Sequence, residues 1–433
     1  MVTFTDAATL KAAHTRWAVL APLRTHSVLV AALLSRPVLV AALLVMVAFM
    51  DLATFETLLS PSGQGLLAEV GARAGVESDL ALGTRLRLDH PAELVAAAVT
   101  QNHLRGQALR KFGDDAARMY FTHDALEQAT RSSVARARAE RLAAAGVTSV
   151  VDLGCGIGGD LMAFARAGLR VRGVERDPVR AAIARANLSA LGLDGEVTEA
   201  DLADVQPRPG EIPFIDPARR DGMGRVFDPA AMTPSWDVVS QLLTQPAVVK
   251  TLPGFPHQLI PEDVEAQWVS DGGDLVETCL WGPGLATAPR RATALPSGAE
   301  LVGSGEPGDV GDVGGWLHEP DDAVIRAGLV GELATQMGGH LVDAHLAYVT
   351  TDEPRSDPLA RSFRVVEEIP HREKPMRAAL VARDVGTLTI KKRGVDIVPE
   401  QLVKRLKLKG SQSGTVILAR IGDGARAFLV ERT

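Results

Sequence analysis

Residues 150–159 read VVDLGCGIGG, an apolar run that reaches a carboxylate and then places four glycines within six positions. Glycine allows a backbone turn with positive φ and lets a ligand approach the main chain. The helix that follows such a turn presents a partial positive end to an anion. The spacing Gly154-x-Gly156-x-x-Gly159 suits a dinucleotide as well as S-adenosylmethionine, so the glycines alone do not choose. The acids nearby carry more information. Asp152 stands two residues before the first glycine, where a carboxylate can pair with the α-ammonium of a methionine moiety but would be repelled by a pyrophosphate. It could instead satisfy backbone N–H groups of the turn. A second apolar strand ends in Glu175-Arg176-Asp177, an acid placed to take both hydroxyls of an adenosine ribose. A third ends at Asp201-Leu202, suited to an adenine amino group, and a fourth delivers Asp216-Pro217-Ala218-Arg219-Arg220.

Four successive strand ends that each carry an acid form a pattern which, over roughly residues 148–301, resembles the class I S-adenosylmethionine-dependent methyltransferases. The order Phe121-Thr122 before a helix, then VDLGCGIGGD, then ERDP, is similar to the trimethylguanosine synthases and RNA N-methyltransferases. From about Asp51, with IDPARRDG mid-chain and GTLTIKKRGVDI near the end, the chain looks like actinobacterial methyltransferases with a THUMP-like C-terminal domain. The resemblance implies S-adenosyl-L-methionine as cofactor, held by Asp152, Gly154, Cys155, Gly156, Gly158, Glu175, Arg176, Asp201 and Leu202. It places the turn around Phe121 and Thr122 over that pocket, although helix capping alone would account for the threonine. THUMP domains proper bind RNA, which makes RNA the expected partner.

Methyl transfer from a sulfonium is a direct displacement, so alignment and exclusion of water matter more than a dedicated acid or base. For a base amine, acceptors for the amine hydrogens help draw the lone pair out of the ring. Asp216 with the Pro217 carbonyl supplies two, and both residues are the expected catalytic pair. Similar amino-methyltransferases follow Asp-Pro with proline and an aromatic that stacks on the flipped base. Here Ala218 and Arg219 stand instead, so Arg219 and Arg220 are expected either to stack or hold phosphate on the substrate, or to form a solvated loop. A cysteine nucleophile for pyrimidine C5 is not expected, since Cys155 lies in the glycine turn and Cys279 in an apolar strand. The histidines lack metal-ligand spacing, and no metal is expected.

Around these residues the chain alternates strands and helices from Val150 onward, which predicts an α/β, Rossmann-like, seven-stranded methyltransferase sheet. Strands are expected at 247–250, 275–280 and either 292–295 or 300–302, with a helix at 261–268. The expected organisation is an N-terminal extension (1–50), a helical domain (51–145), the methyltransferase domain (146–303), a Gly-rich linker (304–315) and a C-terminal α+β region (316–433). That region should hold a helix at 321–337, strands at 345–349 and 362–369, a short helix at 374–383 and a closing β-α-β-β unit, the THUMP-like module starting near residue 362.

Of 433 residues, 46% are hydrophobic and 23% charged, values of a globular chain, and the net charge of −7 argues against a surface coated with basic residues for nucleic acid. Residues 391–409 nevertheless carry a net +5, leaving −12 elsewhere. Lys391, Lys392 and Arg393, with Lys404, Arg405, Lys407 and Lys409, would make a phosphate-binding patch if they share one face, or a solvated helix if not. DNA is not an expected partner. Two cysteines suit a reducing cytoplasm. The heptapeptide VLVAALL occurs at 28–34 and again at 38–44 around Ser35-Arg36-Pro37, so residues 28–49 are either a membrane span or, as preferred, lie upstream of a true start at Met46 or Met50. The functional expectation is a cytoplasmic methyltransferase acting on RNA, at a base amine nitrogen. The alternatives are a small-molecule or protein methyltransferase, and an inactive protein that binds cofactor and RNA.

Overall fold

A computed structural model describes residues 50–219 and 232–432, so the expectations on residues 28–49 and on Arg220 lie outside the described residues. The chain forms two compact units that divide between Val99 and Thr100, inside one helix.

The first unit is helical. In α1 (Leu52–Leu59) Asp51 caps the start by accepting the Thr54 N–H at 2.7 Å, and Phe55 and Leu58 supply the buried stripe that the 3-4 spacing predicts. Ser60 caps α2 (Pro61–Arg73), whose first position is the proline favoured there. Then come α3 (Asp79–Leu86) and α4 (Ala92–Phe112), the helix that crosses the division.

In the second unit, α5 (His123–Gln128) and α6 (Ser132–Ala144) lead to β1 (Ser149–Leu153), α7 (Gly159–Arg166), β2 (Arg170–Glu175), α8 (Pro178–Ala190), β3 (Glu196–Glu199) and β4 (Ile212–Ile215). A two-residue ribbon, β5 (Ala218–Arg219) with β6 (Met232–Thr233), precedes α9 (Trp236–Leu242), β7 (Val248–Thr251), β8 (Glu265–Asp271), β9 (Asp274–Trp281), β10 (Arg290–Leu295) and β11 (Ala299–Gly303). These build one nine-stranded sheet in the order β11-β10-β8-β9-β7-β4-β1-β2-β3. The run β3-β2-β1-β4-β7 is parallel, and β9 enters antiparallel between β7 and β8. The sheet holds nine strands where seven were expected: both candidates for the seventh exist, as β10 and β11, and β8 is added where a helix was expected. Central β1 is buried along its whole length, which is why it reads as a continuous apolar run.

The helix expected at 261–268 is not there. Pro261-Glu262-Asp263 looks like a helix start, but the chain from Glu265 pairs with β9 and β10 and turns through Gly272 and Gly273, both at positive φ. Glu265, fully buried, is satisfied by Arg141, Arg291 and the N–H groups of Thr287 and Ala288, long-range partners that local periodicity cannot report.

Residues 304–315 carry no regular element beyond one bridge at Val310. The rest adds β12 (Trp316–Pro320), α10 (Asp322–Ala327), α11 (Val330–Met337), β13 (His340–Leu341), β14 (Val349–Thr351), β15 (Ala360–Ile369), α12 (Glu373–Val381), β16 (Val385–Arg393), α13 (Pro399–Leu406), β17 (Gln412–Ile421) and β18 (Gly424–Arg432). They form a second sheet in the order β13-β14-β12-β15-β18-β17-β16. The helix expected at 321–337 is broken by Gly328 at φ 71°, which ends α10. The strand expected at 345–349 begins only at Val349. β16, α13, β17 and β18 form the expected β-α-β-β unit, with β16 and β17 parallel across α13.

Gly173, in the middle of β2, lets the glycine turn lie against the sheet. A Cβ there would stand 2.7 Å from Cys155 Sγ and 3.0 Å from Leu161 Cδ2. Gly173→Ala should therefore cost about 1–3 kcal/mol by overpacking, read as a lower urea midpoint with unchanged slope.

Candidate active site

The carboxyl ends of β1, β2, β4 and β7 and the loop after β3 open into a cleft of about 750 Å³. It is walled by the glycine turn, by the segment 128–130 and by residues at each strand end. Asp152, Gly154, Cys155, Gly156, Glu175, Arg176, Asp201, Leu202, Asp216 and Pro217 all line it. Gly158 does not. At φ 86° it caps the start of α7, and a Cβ there would stand 3.5 Å from Ala184 Cβ, so its part is to turn the chain into the helix. Thr122 is also off the wall. Its hydroxyl accepts the Ala125 N–H at 3.3 Å, a capping role, and the threonines on the wall are Thr130, Thr233 and Thr251. Arg219 pairs by its backbone with Met232 in the β5-β6 ribbon.

The N–H groups of the glycine turn are used inside the protein. Those of Gly154 and Cys155 go to the Val174 carbonyl at 2.8 and 3.0 Å, and that of Gly158 to the Cys155 carbonyl at 2.8 Å. The Gly156 N–H goes to Glu175 Oε2 at 2.9 Å, while Glu175 Oε1 accepts from Asp177 N–H at 2.9 Å. Four of the turn's N–H groups are thus already engaged within the protein. Glu175, not Asp152, ties it down. Asp152 is 2% exposed and accepts no hydrogen bond from any described residue. Burial, and then the nearby charges of Asp160 and Asp216, push its carboxyl well above the usual carboxylate range. Asp201 caps the single turn after β3 by accepting the Ala203 N–H at 2.9 Å, and Asp177 caps α8 at Arg180.

A buried ionic chain runs behind the cleft. Arg138, on α6, is ion-paired to Asp160 at the start of α7 and to Glu277 on β9. Asp160 Oδ2 accepts the Thr130 hydroxyl at 2.7 Å, and Thr130 Oγ1 accepts from Lys250 Nζ at 3.0 Å. Lys250, at the end of β7, is ion-paired to Asp216. Burial works against the charge on Lys250, but Asp216, Asp160 and Glu277 outweigh it and hold its pKa above the ordinary lysine value. Sequence reasoning missed Thr130, Arg138, Asp160, Lys250 and Glu277. Only Lys250 gave a signal, a lysine closing the apolar run 247–250.

The segment that brings Thr130 here is clamped from both ends. The Gln101 side chain bonds both the N–H and the carbonyl of Phe121, at 2.9 and 2.6 Å. Asn187, fully buried on α8, bonds the N–H and carbonyl of Tyr120 and the Ile157 carbonyl. Lys111 Nζ donates to the carbonyls of Leu126, Glu127 and Ala129, closing the C-terminal end of α5.

The basic residues near the C-terminus do not share one face. Lys391 is ion-paired with Glu319 on β12 at 2.6 Å and lies over the Phe363 ring, and Arg393 turns to the same glutamate at 3.8 Å. Lys392 alternates to the other side of β16 and is exposed, on the face where Leu388 packs with Leu402 and Leu406 of α13. Lys404 and Lys407 are exposed on that helix and at its end, while Arg405 pairs with Glu373.

Among the described residues no helix is long and apolar enough to cross a membrane. Nor does any group of three or more His, Cys, Asp or Glu there stand where it could hold a metal ion.

The class defined by this sheet order and these strand ends is the S-adenosylmethionine-dependent methyltransferase, and comparison with known proteins agrees. The chain is 38% identical over 335 residues to an uncharacterized S-adenosylmethionine-dependent methyltransferase of Mycobacterium tuberculosis CDC 1551, and equally to its counterpart in strain H37Rv. Each match covers 74% of this chain and 92% of the relative. The chain belongs to that family. A crystal structure from Porphyromonas gingivalis W83, described as a candidate methyltransferase, superposes with a TM-score of 0.68 at 21% identity, covering 86% of this chain and 98% of that one. Residues 360–432 match the family described as THUMP domain-like, and residues 51–108 match a domain of unknown function. The cofactor is S-adenosylmethionine. The residues suit it, since the cleft offers a buried, unpartnered carboxylate to a cationic ligand.

Removing Arg138 would strand two buried carboxylates. Arg138→Met should cost about 3–5 kcal/mol, against about 1 kcal/mol or less for Arg131→Ala, whose pairing with Asp271 is partly exposed. Urea denaturation of the two variants compares them.

Proposed function

We propose that this methyltransferase acts on RNA and methylates a nitrogen of a base. Support for the cofactor side comes from the buried carboxylate of Asp152, set to pair with the α-ammonium of the methionine moiety. Glu175, whose oxygens each take one backbone N–H and keep further lone pairs, is assigned the ribose hydroxyls. Asp201 and Leu202 are assigned the adenine, and Gly154, Cys155, Gly156 and Arg176 complete the lining. When bound, the cofactor supplies an electrophilic methyl group on a sulfonium.

The observation that carries the RNA reading is the match of residues 360–432 to the THUMP domain-like family. Lys392, Lys404 and Lys407 are among the exposed cations there that no described carboxylate pairs with, as are Lys374 and Lys409, and these three are assigned to phosphate. Lys391 and Arg393 are committed to Glu319, so their part is to fix β16 on β12. Asp216 and the Pro217 carbonyl are assigned to the acceptor nitrogen, and Arg219 to the RNA beside it. The expectation of an exocyclic amine rests on Asp216 and Pro217 alone and takes no account of the ammonium on Asp216. A cytoplasmic setting follows from the proposed substrate.

Transfer of tritiated methyl groups to RNA, protein and small-molecule fractions tests the substrate class. Label in RNA is expected, and label confined to either other fraction overturns the reading. Lys392→Ala with Lys404→Ala should weaken RNA binding and flatten its salt dependence by about two units of log–log slope, while cofactor affinity is unchanged. Lys391→Ala should leave that slope alone.

Cofactor binding should also depend on pH, with a sign fixed by Asp152. In the free protein its carboxyl keeps a proton to higher pH than an ordinary carboxylate, and an ammonium ligand binds the ionised form. Binding therefore releases a proton. Affinity should fall as pH drops through the raised pKa, by up to about tenfold per unit, with buffer-dependent heats in calorimetry. Asp152→Asn should abolish that dependence and weaken binding by roughly 10–100-fold.

A further inference from the structure

Lys250 carries three N–H donors. One goes to Asp216 and one to Thr130 Oγ1, and the third has no partner among the described residues although the side chain lines the cleft. Asp216 gives one oxygen, Oδ2, to the ammonium and leaves Oδ1 without a described hydrogen bond, on a side chain 38% exposed against 14% for Lys250. An acceptor drawn up to this corner meets a carboxylate oxygen and an ammonium side by side.

Building on the reading that the chain methylates a base nitrogen of RNA, we infer that the nitrogen is a lactam N–H flanked by a carbonyl, as at N1 of guanine or N3 of uracil. Asp216 takes the N–H and Lys250 the carbonyl oxygen. The two alternatives for the acceptor respond to a fixed ammonium in opposite ways. On an amidine edge, as in adenine or cytosine, the ammonium would bond the ring nitrogen beside the amine. That draws the amine lone pair further into the ring and makes it a poorer nucleophile. A lactam nitrogen becomes nucleophilic as its proton leaves, and the charge then spreads onto the carbonyl oxygen. A preorganised ammonium in a half-dry site stabilises that developing oxyanion. Lys250 cannot be the base, because its neighbours keep it charged.

The step balances as follows. The N–H proton passes to Asp216 Oδ1, the nitrogen pair forms the N–C bond to the methyl carbon, and the C–S bond breaks with its pair onto sulfur, which becomes a neutral thioether. Lys250 is an ammonium before and after. Asp216, open to solvent, returns its proton to water.

The test uses the full chain, tritiated methyl donor and unmodified transcripts of bacterial ribosomal and transfer RNA, with the labelled nucleosides resolved by mass spectrometry. Label on N1 of guanine or N3 of uracil is expected. Lys250→Met should lower kcat by about 100-fold and move the rising limb of the rate–pH profile upward, while S-adenosylhomocysteine affinity, which reports a folded cleft, stays as in the parent. Lys250→Arg should recover part of the rate. A methylated exocyclic amine, or a Lys250→Met protein as fast as the parent, overturns this assignment and leaves RNA methylation standing. Transcripts that take no label while another fraction does overturn the wider reading beneath it.

Discussion

The ion pairs of Arg138 and Lys250 are the constraint on which the site rests. Each buried ion costs several kcal/mol in lost hydration, so such a chain holds only if every member is paired and placed. Here the members come from elements far apart in sequence: α6, α7, β4, β7, β9 and the loop before α6. The hydroxyl of Thr130 joins the two ion pairs, since it accepts from Lys250 and donates to Asp160. Losing either contact of Arg138 leaves a charge in a low dielectric, which ties α6 to α7 and β9, whereas Asp216 at the outer end of the chain meets solvent. The catalytic corner inherits that rigidity. Asp216 is held by Lys250, Lys250 by Thr130, and Thr130 by a segment clamped at Phe121, Tyr120 and the end of α5.

The parts of this arrangement that were legible in the sequence are those written in local chemistry. The glycine turn, the acids closing β1 and β2 and following β4, the cap at Thr122 and the closing β-α-β-β unit all depend on neighbours within a few residues. Side-chain roles were less legible. Glu175, singled out for the ribose, also ties the turn through the Gly156 and Asp177 N–H groups, while Asp152 has no described hydrogen-bond partner. Thr122 was singled out where Thr130 lines the cleft, because a hydroxyl's partner across 30 or 120 residues leaves no local trace. The helix expected at 261–268 failed for the same reason. Its buried Glu265 is paid for by distant arginines.

The C-terminal basic run shows how much strand alternation decides. Three consecutive cations in sequence suggest one patch, yet period two sends Lys391 and Arg393 to Glu319 and Lys392 to the helix side. The paired two cement β16 on the sheet, and the aromatic faces of Phe363 and Tyr348 lie under them. Of the run at 391–393, only Lys392 is left exposed and without an ion pair. On the proposed RNA reading, such a surface would position the nucleic acid without reading its sequence and would leave the choice of nucleotide to the cleft.

A cation at Lys250, close to where a sulfonium must lie, would seem to work against the family's own cofactor. The sign of the whole site removes the conflict. Asp152, Asp160, Asp216 and Glu277 face only Arg138 and Lys250, so the cluster stays negative even while Asp152 holds its proton. Lys250 is thereby neutralised locally by Asp216, while the surplus lies on Asp160 and Glu277, which share Arg138, and grows by one when Asp152 ionises on the neighbouring strand end. A positively charged ligand is drawn to the side of the cleft that lacks a cation. The ammonium of Lys250 is left to act on the acceptor. When the sulfonium becomes a thioether the ligand loses its positive charge, and the attraction that drew it in weakens with the same step.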